Sequence, residues 1–299
     1  MRSVVMLLCC ACLFAGAAAA GEPAASSSPG ILVTPSWLAA HLEDPHLVVL
    51  HVASLRADYD AGHVPGARFL WPTRLAENTP EQTSVMPPVE AMVRALRDLG
   101  VNNDSRIVIC QTLGDVASAA RMYLTLDRLG IGDRTSILDG GFEAWKAEGR
   151  PVSTARAAAR RGRFVAHLKD DVVVDLNTVA AEYRNPGVRL VDGRPASYFN
   201  APNHSFVRGG HIPGAKSLPS SALFDSTDRY VSLDSLKRCF AAAGVQSGDR
   251  LIAYCQIGRS ACPVYVAAKM LGYEVRFYDG SFEEWSRHRE LPVEGKTTN

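Results

Sequence analysis

A cysteine opens the segment Cys255-Gln-Ile-Gly-Arg-Ser260, which stands between the apolar run Leu251-Ile-Ala-Tyr254 and a helix-patterned stretch from Ala261 to Leu271. In a turn wedged between a strand end and a helix start, backbone N–H groups converge on one point and the helix N-terminus adds partial positive charge. Gly258 supplies any φ > 0 conformation the turn demands, Ser260 is placed to cap the helix, and Pro263 suits its first turn. A thiol in such a cradle is expected to ionise readily, and the thiolate is the nucleophilic form. Gln256, Ile257, Gly258, Arg259 and Ser260 would line whatever binds beside it. Arg259 is suited to a sulfonate or carboxylate, through bidentate charge-assisted hydrogen bonds. Without such a loop a cysteine reads as a small buried hydrophobe, and Cys239 and Cys262 are read that way.

The elements that must position this loop come in two copies. His63-Val-Pro-Gly-Ala67 is answered by His211-Ile-Pro-Gly-Ala215, and Leu138-Asp-Gly-Gly-Phe-Glu-Ala-Trp145 by Tyr278-Asp-Gly-Ser-Phe-Glu-Glu-Trp285. Between them, Arg106-Ile-Val-Ile-Cys110-Gln111 is matched to Arg250-Leu-Ile-Ala-Tyr-Cys255-Gln256. The repeat is far longer than a solenoid unit, so it marks two whole domains. The division expected is residues 31–150 and 172–294, joined by a basic, Ala-rich connector over 151–171 whose charges are solvated.

Strand-like runs in the first half (Val48 to Val52, Arg106 to Ile109, Ser136 to Leu138) alternate with helical periodicity over Val89–Leu99 and Ala117–Leu129. The second half repeats the pattern with strands at Arg189–Val191, Leu251–Tyr254 and Val275–Tyr278. The fold class expected is α/β, each domain a parallel sheet with helices on both faces. Ligands of such sheets sit at the carboxyl ends of strands. Both Cys255 and Arg194, which stands opposite Ala53 of the first copy, fall at that edge.

Comparison of the copies assigns the chemistry to the second. The stretch from Cys110 to Asp139 is longer than that from Cys255 to Asp279, and it carries Asp115, which would repel an anion. Cys110 is therefore read as a relic. His63 and His211 are read as turn-shaping residues and Trp145 and Trp285 as core. Asp279 and Gly280 are expected to cap the final helix.

The 299 residues carry 32 Lys+Arg against 31 Asp+Glu, with 47% hydrophobic and 21% charged residues. So balanced a charge offers no long-range field for nucleic acid. After the first 20 residues no apolar run approaches bilayer length. That N-terminus has the order of a secretory signal: Arg2, an apolar stretch from Val4 to Phe14, then Ala17-Ala18-Ala19-Ala20. Residues 1–20 are expected to be removed, leaving 21–30 as a flexible leader on an exported, periplasmic or secreted protein without stable membrane insertion. Intact mass of protein from its host checks this, with mature chains beginning near Gly21.

The loop Cys255-Gln-Ile-Gly-Arg-Ser-Ala-Cys262, the two His-x-Pro-Gly-Ala motifs and Asp279-Gly-Ser-Phe-Glu-Glu-Trp285 together resemble a tandem-domain rhodanese, of the thiosulfate/3-mercaptopyruvate sulfurtransferase family, from about Val33 to Pro292. The resemblance implies that the first domain is an inactive copy and the second catalytic. It implies that Cys255 takes the outer sulfur of thiosulfate as a persulfide and passes it to cyanide or a thiol, and that Arg194 holds the anionic part of the donor. The partners implied are a small-molecule sulfur donor and a thiophilic acceptor, a protein acceptor among them; no metal or cofactor is expected. Thiosulfate-using relatives usually have a basic residue early in the loop, and mercaptopyruvate-using ones a glycine followed by a small residue. Gln256 and Ile257 match neither, and the charge stands at Arg259; the bulky Ile257 argues for thiosulfate. 3-Mercaptopyruvate is the alternative donor, and a non-catalytic sulfur carrier or binding protein the alternative of another class. Dual-specificity phosphatases also cradle an anion beside a cysteine, but their arginine lies six residues on, where this chain has Ala261.

Overall fold

A computed structural model of the chain describes residues 29–201 and 208–295. The expected export signal and leader therefore lie almost wholly outside the described residues. Among the described residues no helix is long and apolar enough to cross a membrane.

The first half runs β1 (Leu32–Val33), α1 (Pro35–His41), β2 (Leu47–Val52), α2 (Arg56–Ala61), β3 (Arg68–Leu70), α3 (Val89–Asp98), β4 (Arg106–Gln111), α4 (Val116–Arg128), β5 (Thr135–Leu138) and α5 (Gly141–Ala147). The second repeats it as β6 (Val173–Val174), α6 (Leu176–Glu182), β7 (Val188–Asp192), α7 (Ala196–Phe199), β8 (Lys216–Ser217), α8 (Leu233–Ala242), β9 (Arg250–Tyr254), α9 (Cys262–Met270), β10 (Val275–Tyr278) and α10 (Ser281–Arg287). The sheet orders are β1-β5-β4-β2-β3 and β6-β10-β9-β7-β8, every pair parallel. The α/β architecture is thus as the alternating pattern required. Local chemistry repeats too: Thr34 caps α1 by accepting from the Trp37 N–H, and Asp175 caps α6 by accepting from Thr178.

Strand register corrects the match between the copies. Leu47 pairs with Arg106 and Val188 with Arg250, so His51 pairs with Cys110 where Asp192 pairs with Tyr254. Counting from Arg106 and Arg250, Gln111 stands where Cys255 stands, and Cys110 stands where Tyr254 does. Cys110 is a core residue within β4, not the first copy's former nucleophile. The first copy's extra length does not lie in this loop: only residues 112–115 separate β4 from α4, whereas residues 255–261 separate β9 from α9. Asp115 occupies the shorter turn, its carboxylate accepting the Ser54 N–H and Oγ at 3.1 Å each.

The two halves share one core. Helices α4 and α9 are buried nearly all round and pack against each other between the sheets, joining Met122, Leu126, Val264 and Phe277 in one apolar cluster. Beneath it lies an ion cluster that the charge pattern of the connector did not reveal. The Asp127 carboxylate of α4, 1% exposed, accepts from Tyr265 Oη at 2.7 Å and Lys169 Nζ at 2.9 Å, with Lys269 Nζ 3.2 Å away. Burial acts to raise the Asp127 pKa, but the Tyr265 and Lys169 bonds and both lysine charges outweigh it and hold the group below its ordinary value. Lys169 is therefore not simply solvated. The connector is itself pinned to the first half, where Gly162 and Phe164 donate to the carbonyls of Arg97 and Val101 at 2.7 and 3.1 Å.

Candidate active site

Cys255 is the first residue beyond β9 and is 1% exposed. Its N–H donates to Ser281 Oγ at 3.2 Å, and its carbonyl accepts from the Phe282 N–H at 2.9 Å. The Gln256 carbonyl accepts from Glu283 N–H at 2.9 Å, so the loop is stapled to the start of α10. Ser281 is held at φ 53°, its hydroxyl donating to the Tyr278 carbonyl at 3.0 Å. The chain then turns back through Gly258, at φ 72°, and the Arg259 N–H donates to Cys255 Sγ at 3.2 Å. Such a donor stabilises sulfur in its anionic form, as thiolate or persulfide.

Helix α9 starts at Cys262 with Pro263 in its first turn, as expected. Ser260, contrary to expectation, makes no capping bond; Ala261 holds the N-cap position. The Ser260 carbonyl instead lies against Gly193, where an added Cβ would sit 2.7 Å from that oxygen and 2.9 Å from Ala261 Cα. Only glycine lets β7 end this close to the loop, a requirement the Asp-Gly-Arg sequence did not disclose. Gly193→Ala must therefore displace backbone rather than a flexible side chain. The expected result is a folded protein whose kcat falls by about tenfold or more, since a displacement near 1 Å costs up to about a hundredfold; steady-state turnover beside a thermal melt checks it.

Arg194 is at the expected edge but is committed to protein partners. It is 3% exposed, with Nε and Nη2 on the Asp192 carboxylate at 2.6–3.0 Å and Nη2 also on the Gly210 carbonyl at 2.8 Å. Its Nη1 donates to Gln256 Oε1 at 3.1 Å, and its guanidinium lies 4.5 Å from the centre of the Phe282 ring. The pairing with Asp192 thus dominates, and Arg194 reaches the loop through Gln256. Arg259 is different: it is exposed, and its side chain forms no ion pair or hydrogen bond with the described residues. With half-buried Ile257 it lines a cleft of about 270 Å³ between the halves, whose far wall includes Trp71, Asn78, Ser84 and Arg121.

The final motif does more than end the sheet. Gly280 holds the N-cap position of α10, but Asp279 is not a cap: Oδ2 accepts from the Met86 N–H at 2.8 Å and Oδ1 pairs with Arg121 Nη1 at 2.6 Å, both in the first half. Glu283 accepts from Thr83 N–H at 2.8 Å. The same motif of the first half reaches the other way, Asp139 accepting from the Tyr230 N–H at 3.2 Å and pairing with Arg229 at 3.6 Å. Sequence reading missed these crossings because the contacts join residues with no local pattern between them.

The remaining thiols do not share the Arg259 N–H that meets Cys255 Sγ. All four described cysteines are free. Burial raises the Cys110 thiol pKa strongly and pushes Cys262 up to about 12, its Sγ donating to the Gly258 carbonyl at 3.2 Å. Cys239 Sγ donates to the Ala222 carbonyl at 3.5 Å. Trp145 and Trp285 are fully buried and donate to the Pro151 and Pro292 carbonyls. His63 and His211 stack on Tyr59 and Phe199 and bond neighbouring carbonyls, shaping their turns. No group of three or more His, Cys, Asp or Glu among the described residues could hold a metal ion.

The family model for the rhodanese-like domain matches the chain twice, over residues 34–148 and 175–288. The chain is 30% identical over 271 residues to the 3-mercaptopyruvate sulfurtransferase of Escherichia coli, covering 86% of this chain and 95% of that one. It is 30% identical over 272 residues to the thiosulfate sulfurtransferase of Azotobacter vinelandii, covering 88% and 97%. A crystal structure of an Escherichia coli 3-mercaptopyruvate sulfotransferase with the rhodanese fold superimposes with a TM-score of 0.77 at 28% identity, covering 85% of this chain and 99% of that one.

Proposed function

The chain belongs to the rhodanese family and is a sulfurtransferase, and from that premise we propose that it takes sulfur from thiosulfate through a persulfide on Cys255 and yields it to cyanide or a thiol. The observation carrying this reading is the closed loop in which the Arg259 N–H meets Cys255 Sγ while the Arg259 side chain stands free at the cleft. The Cys255 thiolate attacks the outer sulfur of thiosulfate; the new S–S bond forms as the old one breaks, and sulfite leaves with the electron pair. The negative charge now rests on the outer persulfide sulfur, beside the loop whose Arg259 N–H faces Cys255. An acceptor such as cyanide attacks that sulfur through carbon, the Cys255–sulfur bond returns its pair to Cys255, and thiocyanate departs. No redox cofactor is required for this balance.

Arg259 is the group proposed to meet the sulfonate end, and Arg194 to fix Gln256 beside it. Losing one charge-assisted contact costs ~1.5 to 3 kcal/mol, or about tenfold to over a hundredfold in affinity. Arg259→Ala is therefore expected to raise the thiosulfate KM at least about tenfold while Cys255 remains reactive. A KM unchanged in that variant removes Arg259 from the donor site. The Escherichia coli relative's name favours the second reading, 3-mercaptopyruvate as donor. Parallel assays separate the two: kcat/KM higher for 3-mercaptopyruvate than for thiosulfate in the unmodified enzyme would sink the thiosulfate assignment.

A further inference from the structure

The Gly258–Arg259 peptide unit has two faces, and the two halves of the molecule hold one each. Its N–H, on Arg259, donates to Cys255 Sγ at 3.2 Å. Its carbonyl, on Gly258, accepts from Arg121 Nη1 at 3.2 Å and from Cys262 Sγ at 3.2 Å. In a planar peptide the carbonyl of one residue and the N–H of the next point in opposite directions. Whatever grips this carbonyl therefore aims this N–H at the sulfur.

Such a grip is needed because Gly258, at φ 72°, carries no Cβ to restrict it. Rotation of the peptide unit would exchange its faces and bring a carbonyl oxygen against the thiolate or persulfide, where like partial charges repel. Arg121 is built to prevent that rotation. It belongs to α4 of the non-catalytic half, is 4% exposed, and is fixed by Asp279 Oδ1 at 2.6 Å and by the Ser84 carbonyl at 3.0 Å. We infer that Arg121 is a positioning residue that locks the Gly258–Arg259 peptide with its N–H toward Cys255, so that the first half supplies part of the anion cradle it does not itself contain. The inference rests on the reading of Cys255 as the nucleophile.

Two variants of the full chain separate this role from mere charge and from mere stability. Arg121→Met removes fork and charge; Arg121→Lys keeps the charge beside Asp279 but not the planar fork that reaches Gly258 and Ser84 together. Tyr254, Cys262, Asp192, Arg194, Arg259, Asp279 and Glu283, the other ionisable groups around the loop, stay in place in both. The first readout is the pH profile of Cys255 alkylation by iodoacetamide, located by peptide mass, which needs neither donor nor turnover and so stands apart from the thiosulfate assay. Both variants are expected to shift that profile upward by about one unit, through loss of a hydrogen bond to the charged form. The second is turnover, where kcat should fall about tenfold or more with the donor KM within about twofold. The lysine variant keeps the partner of Asp279, so it tests the inference even if Arg121→Met does not fold. Restoration of the wild-type alkylation profile and kcat by lysine would overturn the orienting role and leave charge alone as the explanation.

Discussion

Cys255→Ala is expected to bring sulfur transfer to background, a loss of at least about a thousandfold in kcat/KM, because it removes the atom that carries the sulfur between two half-reactions. No other described thiol can substitute. Cys110 is buried within β4 and its thiol is driven toward the protonated form by burial, while Cys262 is pushed up to about 12 and faces the back of the loop. Cys239 lies on α8 rather than at the carboxyl edge of the sheet. The measurement is thiocyanate formation from thiosulfate and cyanide, together with the mass of the Cys255 peptide after donor alone, which should gain one sulfur in the wild type. Cys110→Ala should keep activity within about threefold, the cost of a small core cavity rather than of chemistry. Retained turnover in Cys255→Ala with loss in Cys110→Ala would reverse the assignment of the two halves.

The largest expected effect on stability belongs to Asp127. Removing its carboxylate leaves Lys169 and Lys269 facing each other and the Tyr265 hydroxyl without its acceptor. Breaking an enclosed pair in this way costs about 3 to 5 kcal/mol; the lysine ends keep some contact with water, which lowers the expectation for Asp127→Ala to about 2 to 3 kcal/mol. A fall in Tm of roughly 3 to 5 °C follows for a chain this size. The pH dependence has a definite sign. Asp127 lies below its ordinary value in the folded protein, so its contribution is full above the unfolded carboxylate pKa of ~3.9 and is lost as pH falls through the lower folded value. Melting curves between neutral and strongly acidic pH should therefore converge for wild type and Asp127→Ala at the acid end. A gap that widened on acidification would contradict the ion cluster as its source.

Much of the fold was legible because burial and periodicity are written locally. The strands β2, β4 and β9 read as apolar runs since parallel strands are covered on both faces. The loop from Cys255 to Ser260 was legible for the same reason: a thiol, a glycine and a helix start within a few residues. What escaped was set by distance in the sequence. Similarity of letters aligned Cys110 with Cys255, whereas hydrogen-bond register, which letters do not carry, aligns Gln111 there. Arg194 was visible as a charge beside Asp192, but not as a buried one held also by the Gly210 carbonyl and Gln256. Lys169 read as solvated because its partner lies forty-two positions away, and the need for glycine at 193 is a need for backbone clearance.

The crossings made by Asp279 and Asp139 have a consequence for how the two halves relate. Asp279 takes the N–H of Met86 and an arginine of the first half; Asp139 takes the N–H of Tyr230 and an arginine of the second. The aspartate-to-N–H part of each crossing repeats in both directions, Met86 and Tyr230 each standing three residues before a helix, as an isologous contact about a twofold axis requires; the arginines differ, Arg121 lying on α4 and Arg229 in the loop before α8. The single chain is in this sense a dimer whose subunits are covalently joined. Covalent joining releases them from having to be identical. In the proposed reading one subunit keeps the nucleophile, while the other, freed from carrying a working loop of its own, lends Arg121 to its neighbour's.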